Sequence, residues 1–385
     1  MNIIYKVIFN CLLVAILFIS QNSINAQVKN PRNIDLEWET DLENRSVALE
    51  EITLVVPRNT FPAIDYPAFL DIKEGTKRFY ENEPVISVQL GQEAKAYPLN
   101  MLTMHEMSND WLAGVPILPT YCPLCNASVV FDRRVVINGI EQLLEFEVSG
   151  LLRNSDMIMA DRQTQTWWQQ LTGEAIVGDL TGTELDVIPS QVMSVKDFFA
   201  IYPDGKILSP DTNTRAADRY GRNPYEGYDG INNKPFERFF DHQKVDSRLP
   251  PMERVVDIEV MGKYKVYPFS AISVSGVIND LFEDQPIVVF FNNGPVSVLD
   301  DGQIDKSKTV GSAAVFFPVL DGVALTFEKN NKLFIDNQTG SVWDFSGRCV
   351  EGKWKGSQLD LMPHSNHFAF AWLAFHPETE IFQQP

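Results

Sequence analysis

The most reactive side chains of this sequence lie in one short turn, Cys-Pro-Leu-Cys at residues 122–125. A Cys-x-x-Cys turn can present two thiolates to one metal ion, and an imidazole is a suitable third ligand. His105 follows Leu102 by three residues on a segment with helical spacing, so its side chain is predicted to face the core. We therefore predict a Zn or Cu ion bound by His105, Cys122 and Cys125.

A tetrahedral zinc ion needs a fourth ligand, and the sequence leaves its identity open. The candidates are water, Met104, Met107, Asp156 and Cys349. Whether the metal takes part in a reaction is also open. If it does, Glu106 and Asp156 are the first candidates for acid–base catalysis.

Two other chemistries fit the same turn. In an oxidising compartment Cys122 and Cys125 can form a disulfide, and the chain would then be a non-enzymatic module that binds a glycan, another ligand or a protein. The third alternative is a thiol–disulfide oxidoreductase, in which a helix N-terminus lowers the pKa of the first thiol. Residues 127–136 resemble a strand, so that helix is not expected here.

Other cofactors are not indicated. Asn126, rather than histidine, follows Cys125, which excludes covalent haem attachment. The chain has no Walker loop and no dinucleotide glycine pattern, so no nucleotide cofactor is indicated.

A polar stretch at residues 149–156 is a second candidate region. Arg153, Asn154 and Asp156 could line a substrate pocket there, and the alternative is a solvated loop.

Composition limits the class of protein and its partners. The chain has 385 residues, of which 44% are hydrophobic and 22% charged, as in a folded globular protein. It has 51 acidic residues against 32 Lys and Arg, and the net charge is −19. Nucleic acid is therefore an unsuitable partner, because a phosphate-binding surface must gather positive charge. The partner is expected to be an unknown small molecule or a protein.

The first 26 residues are typical of a secretory signal peptide. An apolar run follows Lys6, and small or polar residues lead to a predicted cleavage site after Ala26. Asn10 interrupts the run, which is too short to favour a membrane anchor. We predict a periplasmic or secreted protein that leaves the membrane after cleavage.

The remaining chain contains an internal repeat. Residues 85–121 align without a gap with residues 255–291, and later segments continue the match. The repeat predicts an N-terminal extension at 27–79, a first lobe at 80–208, a polar connector at 209–250 and a second lobe at 251–385. The recurring pairs include Lys95 and Lys265, Tyr97 and Tyr267, Asn109 and Asn279, Asp110 and Asp280, Asp161 and Asp336, and Trp168 and Trp343.

Each repeat has alternating β-branched segments separated by Gly, Asn and Asp, with short helical segments between them. The fold class is therefore mainly β with short helices, in two tandem related lobes, as a barrel or a sandwich. A helix is predicted from Pro98 to Asn109 and Asp110. Ser194 with Asp197 predicts a capping box, and Asn366 predicts a cap for the last helix.

The differences between the repeats indicate where function lies. Residues that recur are expected to be structural, whereas His105 and the two cysteines do not recur. Ser275 and Asn292 stand in the places of His105 and Cys122. The candidate site is therefore predicted in the first lobe alone.

Several ordered motifs give the chain a family resemblance. They are Ala96-Tyr97-Pro98-Leu99, His105-Glu106, Asn109-Asp110, Thr120-Tyr121-Cys122-Pro123-Leu124-Cys125, Phe131-Asp132-Arg133, Val148-Ser149-Gly150-Leu151-Leu152, Asn154-Ser155-Asp156, Asp161-Arg162 and Leu171-Thr172-Gly173-Glu174-Ala175. In this order they resemble the bacterial family catalogued as domain of unknown function 3179. The likeness continues through Arg248-Leu249-Pro250-Pro251 to Phe375-His376-Pro377, so that it covers most of the mature chain, and it implies no established activity. That family usually has Gly at the position of Asn126 and Trp at the position of Met104.

Overall fold

The computed structural model describes residues 38–212, 214 and 219–384. The predicted signal peptide at 1–26 lies outside the described residues. The described chain is mainly β with five short α-helices, which confirms the predicted fold class. We call residues 38–208 the first half, 251–384 the second half, and 209–250 the connector.

The first half contains sixteen strands. They are β1 (Ile52–Leu54), β2 (Ile64–Asp65), β3 (Phe69–Leu70), β4 (Pro84–Leu90), β5 (Glu93–Pro98), β6 (Ser108–Leu112), β7 (Val115–Cys122), β8 (Ala127–Asp132), β9 (Arg134–Ile137), β10 (Ile140–Leu143), β11 (Phe146–Arg153), β12 (Asp156–Asp161), β13 (Trp167–Gln169), β14 (Ala175–Val177), β15 (Gln191–Ser194) and β16 (Lys206–Leu208).

The second half contains fourteen strands. They are β17 (Arg254–Val260), β18 (Lys263–Pro268), β19 (Val277–Phe282), β20 (Gln285–Asn292), β21 (Ser312–Phe317), β22 (Val319–Leu320), β23 (Val323–Ala324), β24 (Phe327–Asn330), β25 (Leu333–Asp336), β26 (Val342–Trp343), β27 (Cys349–Glu351), β28 (Asp360–Leu361), β29 (Asn366–Phe368) and β30 (Glu380–Ile381). The helices are α1 (Ile72–Arg78), α2 (Leu99–His105), α3 (Val195–Ile201), α4 (Phe269–Ser275) and α5 (Ala369–Phe375).

The sheets of the two halves have corresponding strand orders. The order β15-β4-β5-β16 in the first half matches β29-β17-β18-β30 in the second, and the last pair of each of these orders is the parallel one. In the first half β3 adds a fifth, antiparallel strand beside β16. The hairpins β6-β7-β8 and β19-β20-β21 also correspond, as do β11-β12-β13-β14 and β24-β25-β26-β27. The exact lobe boundaries stay a prediction.

The recurring residues form the same hydrogen-bonded networks twice. Lys95 Nζ lies 2.7 Å from Asp110, and Tyr97 donates to the same carboxylate at 2.6 Å. In the second half Lys265 lies 2.8 Å from Asp280, which also accepts from Tyr267 at 3.0 Å. Each network joins a strand of the first hairpin to the strand that follows the helix. These residues therefore hold the elements together and are not needed to explain a site.

The repeated aspartate and tryptophan behave in the same way. Asp161 Oδ2 accepts from Trp168 Nε1 at 3.0 Å, and Asp336 Oδ2 accepts from Trp343 Nε1 at 3.0 Å. Both aspartates also close a tight turn, since Asp161 accepts from Thr164 and Asp336 accepts from Thr339. All four side chains are buried, so the bonds satisfy polar groups that water cannot reach.

The two halves share one core. The largest buried cluster includes Val85 from the first half and Val255 from the second. Across the junction, the backbone N–H of Phe368 on β29 donates to the carbonyl of Cys125 at 2.9 Å. The second half therefore supports the cysteine turn of the first directly.

Two details differ from the sequence predictions. Helix α2 ends at His105 rather than at Asn109 and Asp110, because Glu106 adopts a positive φ and residues 108–112 form β6. Asn366 does not cap α5, since it lies on β29 and its side chain bonds the backbone of Ala313. Ser194 caps α3 as predicted, because its side chain accepts from the backbone N–H of Asp197, and the Asp197 carboxylate bonds the Ser194 hydroxyl.

No helix among the described residues is long and apolar enough to cross a membrane.

Candidate metal centre

Three acidic side chains converge in the first half. The ligand atoms of Cys122, Cys125 and Asp156 all lie within 4.8 Å of one another. Cys122 is 1% exposed and the other two side chains are fully buried. Two thiolates and a carboxylate at this spacing could hold a metal ion, and we call these three residues the metal group.

The cysteine turn is fixed from two directions. Cys122 ends β7, and Asn126 adopts φ +51° so that the chain can return along β8. From the connector, the Tyr228 hydroxyl donates to the carbonyl of Leu124 at 3.1 Å, and from β29 the Phe368 N–H donates to Cys125. The two sulfur atoms are therefore held on a rigid support.

Asp156 arrives on a tight hairpin between β11 and β12. Asn154 and Ser155 form its turn with φ values of +51° and +64°, and Arg153 pairs with Asp156 across it. The connector holds this turn too, because Ser155 N–H donates to the Phe239 carbonyl at 3.0 Å. The stretch predicted as a pocket lining or a solvated loop is thus the hairpin that delivers the third acidic group.

The carboxylate of Asp156 has one occupied oxygen and one free oxygen. Its Oδ2 accepts from Gln169 Nε2 at 2.6 Å and from the Leu171 N–H at 3.0 Å. Its Oδ1 is buried and has no hydrogen-bond partner of standard geometry among the described residues, although both thiols lie close enough to lower the pKa of the carboxyl group. A buried oxygen without a partner costs free energy, and a metal ion would satisfy it. The positions of Cys122, Cys125 and Asp156 are therefore suitable for binding a metal ion.

Burial controls the electrostatics of the group. It raises the pKa of Asp156 to about 6, and it also raises the pKa values of the Cys122 and Cys125 thiols. The charge of Asp156 adds to the effect on both thiols, whereas the thiols lower the pKa of Asp156 by hydrogen bonding to it. A cation bound among them would favour the ionised forms.

Glu106 lies beside this group in an unusual backbone conformation. Its φ is +61°, a region in which side chains other than glycine are strained. The second half has Gly276 at this position, with φ +73°. The backbone hydrogen bonds show that the two positions are equivalent, because the Glu106 carbonyl accepts from the Tyr121 N–H and the Gly276 carbonyl accepts from the Phe291 N–H. The first half therefore keeps a glutamate where the fold favours glycine.

The Glu106 carboxylate is coupled to the metal group through charge. Burial raises the pKa of Glu106 to about 8, and the charge of Asp156 adds to the effect. The charge of Glu106 in turn raises the pKa of Cys122. Glu106 is not one of the three converging side chains, and it acts on them through its charge.

His105 is buried as predicted, but the structure does not bring it into the converging group. Its Nδ1 donates to the Pro62 carbonyl at 2.7 Å, and its Nε2 accepts from the Tyr220 hydroxyl at 2.5 Å. Burial lowers the pKa of His105, which favours this neutral form. The imidazole therefore ties the connector to helix α2, and its role as a metal ligand stays a prediction.

The structure separates the three residues that were predicted to line one pocket. The Arg153 Nε donates to Glu51 at 2.8 Å, and its guanidinium lies 5.2 Å from the Phe375 ring centroid. Asn154 lies at the hairpin tip beside the connector, whereas Asp156 is buried with the cysteines. Only Asp156 therefore belongs to the metal group.

The other fourth-ligand candidates lie in the core. Met104 and Met107 are buried, and Cys349 lies on β27 of the second half, where its thiol donates to the Glu351 carbonyl at 3.2 Å. The sequence analysis did not identify Gln169, which orients Asp156, or Tyr228 of the connector, which supports the cysteine turn. A weak indication was available, since aromatic residues are frequent in an otherwise polar connector.

Comparisons with known proteins agree with the family resemblance. A comparison with curated proteins and one with solved structures both found no match. The sequence model of one family matches residues 58–379, which is most of the chain. The chain belongs to the family described as protein of unknown function (DUF3179).

Proposed function

We propose that this chain is an exported Zn²⁺-binding protein whose ion is held by Cys122, Cys125 and Asp156. The observation that carries the proposal is the buried convergence of these three side chains, with Asp156 Oδ1 left unpartnered. Export rests on the sequence of residues 1–26, which is typical of a secretory signal peptide.

The donor set favours zinc over copper. Thiolates suit both Zn²⁺ and Cu⁺, but a carboxylate oxygen is a hard ligand that suits Zn²⁺ better. The charge balance also favours a divalent ion, because the two thiols and the carboxyl group are buried and would otherwise resist ionisation.

Three protein ligands leave one position of a tetrahedral zinc ion for water, which the ion makes more acidic. Glu106 is the residue of this chain that would hold or transfer a proton there. Its carboxylate acts electrostatically on both Cys122 and Asp156, and its strained backbone suggests that the side chain is needed. Gln169 would keep Asp156 oriented toward the ion.

A thiol–disulfide activity is the second candidate. A buried carboxylate beside the two thiols could accept a thiol proton during exchange, and Asp156 has that position. However, the raised pKa values and the burial of both thiols oppose attack on a partner's disulfide. The metal site is therefore the function that the geometry favours.

Elemental analysis of full-length protein purified from the periplasm tests this proposal. We expect about one zinc ion per chain, and a loss of most of it in Cys122→Ser and Asp156→Asn. Cys349→Ser is the matched control, because it removes a buried thiol outside the group and should retain the ion.

Two results would contradict the proposal. One is an equal zinc content in the native chain and in Cys122→Ser. The other is an intact mass lower by two hydrogen atoms in metal-free protein as isolated, which would instead support a Cys122–Cys125 disulfide.

A further inference from the structure

A second candidate site lies in a cleft between the halves, apart from the metal group. Its volume is about 470 Å³, which is the size of many small-molecule sites. Glu174 and Glu184 line it from the first half, and Glu259, Tyr264 and Trp372 line it from the second. Ligand sites are frequent at such interfaces between structural units.

One wall of the cleft is formed by the tilted rings of Tyr264, Trp372 and His376, and the buried ring of His367, which does not line the cleft, stacks on Trp372. The ring centroids of His367 and Trp372 are 5.0 Å apart, those of Trp372 and His376 are 4.4 Å apart, and those of His376 and Tyr264 are 4.0 Å apart. The polar edges are already bonded, since His367 Nε2 donates to Asp257 at 2.9 Å and Trp372 Nε1 donates to Thr379 at 3.0 Å. These bonds therefore fix the positions of the aromatic rings in the absence of a ligand.

The cleft is strongly negative. Its described lining includes four carboxylates against a single Lys or Arg side chain, Arg153, which is already paired with Glu51. Bonds from His367 and Ser365 hold the pKa of Asp257 below its usual range despite its burial. Burial raises the pKa of the Tyr264 hydroxyl, and the charges of Glu259 and Glu184 add to this effect. Anionic ligands are therefore disfavoured.

These carboxylates do not converge as metal ligands do. Among the described residues, the group that meets the spacing for a metal ion is the cysteine group, and no cleft residue belongs to it. Separated negative charges around an aromatic wall instead suit a longer ligand with positive groups on an apolar body. Ammonium groups are attracted to carboxylates and to aromatic faces, and an apolar chain packs on the rings.

We propose that this cleft binds a small organic cation of the diamine type. Glu184 and Glu259 attract its ammonium groups, and the Tyr264–Trp372 wall contacts its carbon chain. This inference does not depend on the proposed metal site, because no cleft-lining residue belongs to that group.

Isothermal titration of the full-length protein with cadaverine, a five-carbon diamine, tests the proposal. Cadaverine should bind, and pentanediol, which has hydroxyls in place of the ammonium groups, should not. The double variant Glu184→Gln, Glu259→Gln should weaken cadaverine binding at least about tenfold, and added salt should weaken it further. Both side chains are exposed, so the variant is expected to fold.

Glu328→Gln is the matched control, since Glu328 is an exposed strand carboxylate outside the cleft. It should leave cadaverine binding unchanged. The proposal is overturned if cadaverine fails to bind at millimolar concentration, or if the double variant binds it as well as the native chain does. Binding of pentanediol with equal affinity, or of the neutral disaccharide cellobiose in place of cadaverine, would also overturn it.

Discussion

The backbone around the metal group follows the same course in both halves, but its side chains are acidic in the first half and include a lysine in the second. In the first half the frame carries Glu106 beside two thiols and Asp156. In the second half Gly276 replaces the glutamate, and the side chain of Lys329 fills the adjacent space. The ammonium group of Lys329 donates to the Phe291 carbonyl, and burial lowers its pKa.

This comparison shows how a repeated fold can hold one specialised site. The Lys–Tyr–Asp and Asp–Trp networks are present in both halves, so they maintain the frame. The thiols and Asp156 are carried by the cysteine turn and by the hairpin turn at Asn154 and Ser155, and the connector supports both turns through Tyr228 and Phe239. The second half contributes support, through the bond from Phe368 to Cys125.

The largest predicted difference between the halves is their response to metal removal, which should destabilise the first half more than the second. If the ion binds the folded chain and not the unfolded one, chelation should lower the free energy of unfolding by about 4 kcal/mol. Hydrogen exchange should then increase first in β7, β8 and β12, and less in β19–β21 of the second half. The double variant Cys122→Ser, Cys125→Ser should not respond to the chelator. Identical melting of the native chain with and without chelator would contradict this prediction.

The next largest effect concerns Glu83, whose environment differs between the halves. Burial raises the pKa of Glu83 to about 7, and its carboxylate accepts from Asn100 at 2.5 Å. The corresponding Glu253 accepts from the Ser270 N–H instead. Between about pH 4.5 and 7 the native chain keeps a proton on Glu83 that the unfolded chain has lost. The free energy of unfolding should therefore fall by about 2 to 3 kcal/mol as the pH rises through this range.

Denaturant titrations across this pH range measure the effect. Glu83→Gln cannot ionise, so its free energy of unfolding should lack that decrease. A pH dependence that is the same in Glu83→Gln and in the native chain would show that other groups cause it.

Paired substitutions in the repeated network test whether the frame is equivalent in the two halves. Trp168→Phe and Trp343→Phe each remove a 3.0 Å bond to a buried aspartate. Each should lower the free energy of unfolding by about 2 kcal/mol, since a buried hydrogen bond to a carboxylate is lost and Oδ2 keeps only the threonine hydroxyl as a donor. Urea unfolding gives both values. A large cost in one half alone would mean that the two networks do not have equivalent roles.

The smallest predicted effect is a change in the free energy of unfolding, which should increase on substitution of Glu106 and decrease on substitution of Gly276. Glu106→Gly should raise the free energy of unfolding of metal-free protein by about 1 kcal/mol, because glycine adopts φ +61° without strain. Gly276→Ala should lower it, since its φ is +73° and an added Cβ would approach Lys329 Cδ to 2.1 Å. Thermal unfolding of the two variants provides the comparison, and a loss of stability in Glu106→Gly would show that the side chain stabilises the fold.

The sequence supported the fold better than the site. Strand alternation and the recurring Lys95, Tyr97 and Asp110 are local or duplicated patterns, and they indicated the β-rich fold and its structural residues. The end of α2 was missed because Glu106 adopts a conformation for which its residue type gives no indication.

The site depends on contacts between distant segments, which spacing cannot show. Helical spacing correctly placed His105 in the core, but the choice between the cysteines and Tyr220 depends on the path of the connector. Asp156 was one of several fourth-ligand candidates. The turn at Asn154 and Ser155 brings it to the cysteines, and Gln169 orients it.

X-ray absorption at the zinc edge tests the central claim most directly, because it identifies the ligand atoms around the bound ion. The account predicts two sulfur ligands at about 2.3 Å and oxygen ligands at about 2.0 to 2.2 Å. Asp156→Asn should alter the oxygen shell while the sulfur shell of any remaining ion persists. A first shell without sulfur, or one with imidazole scattering in place of the carboxylate, would contradict a zinc ion held by Cys122, Cys125 and Asp156.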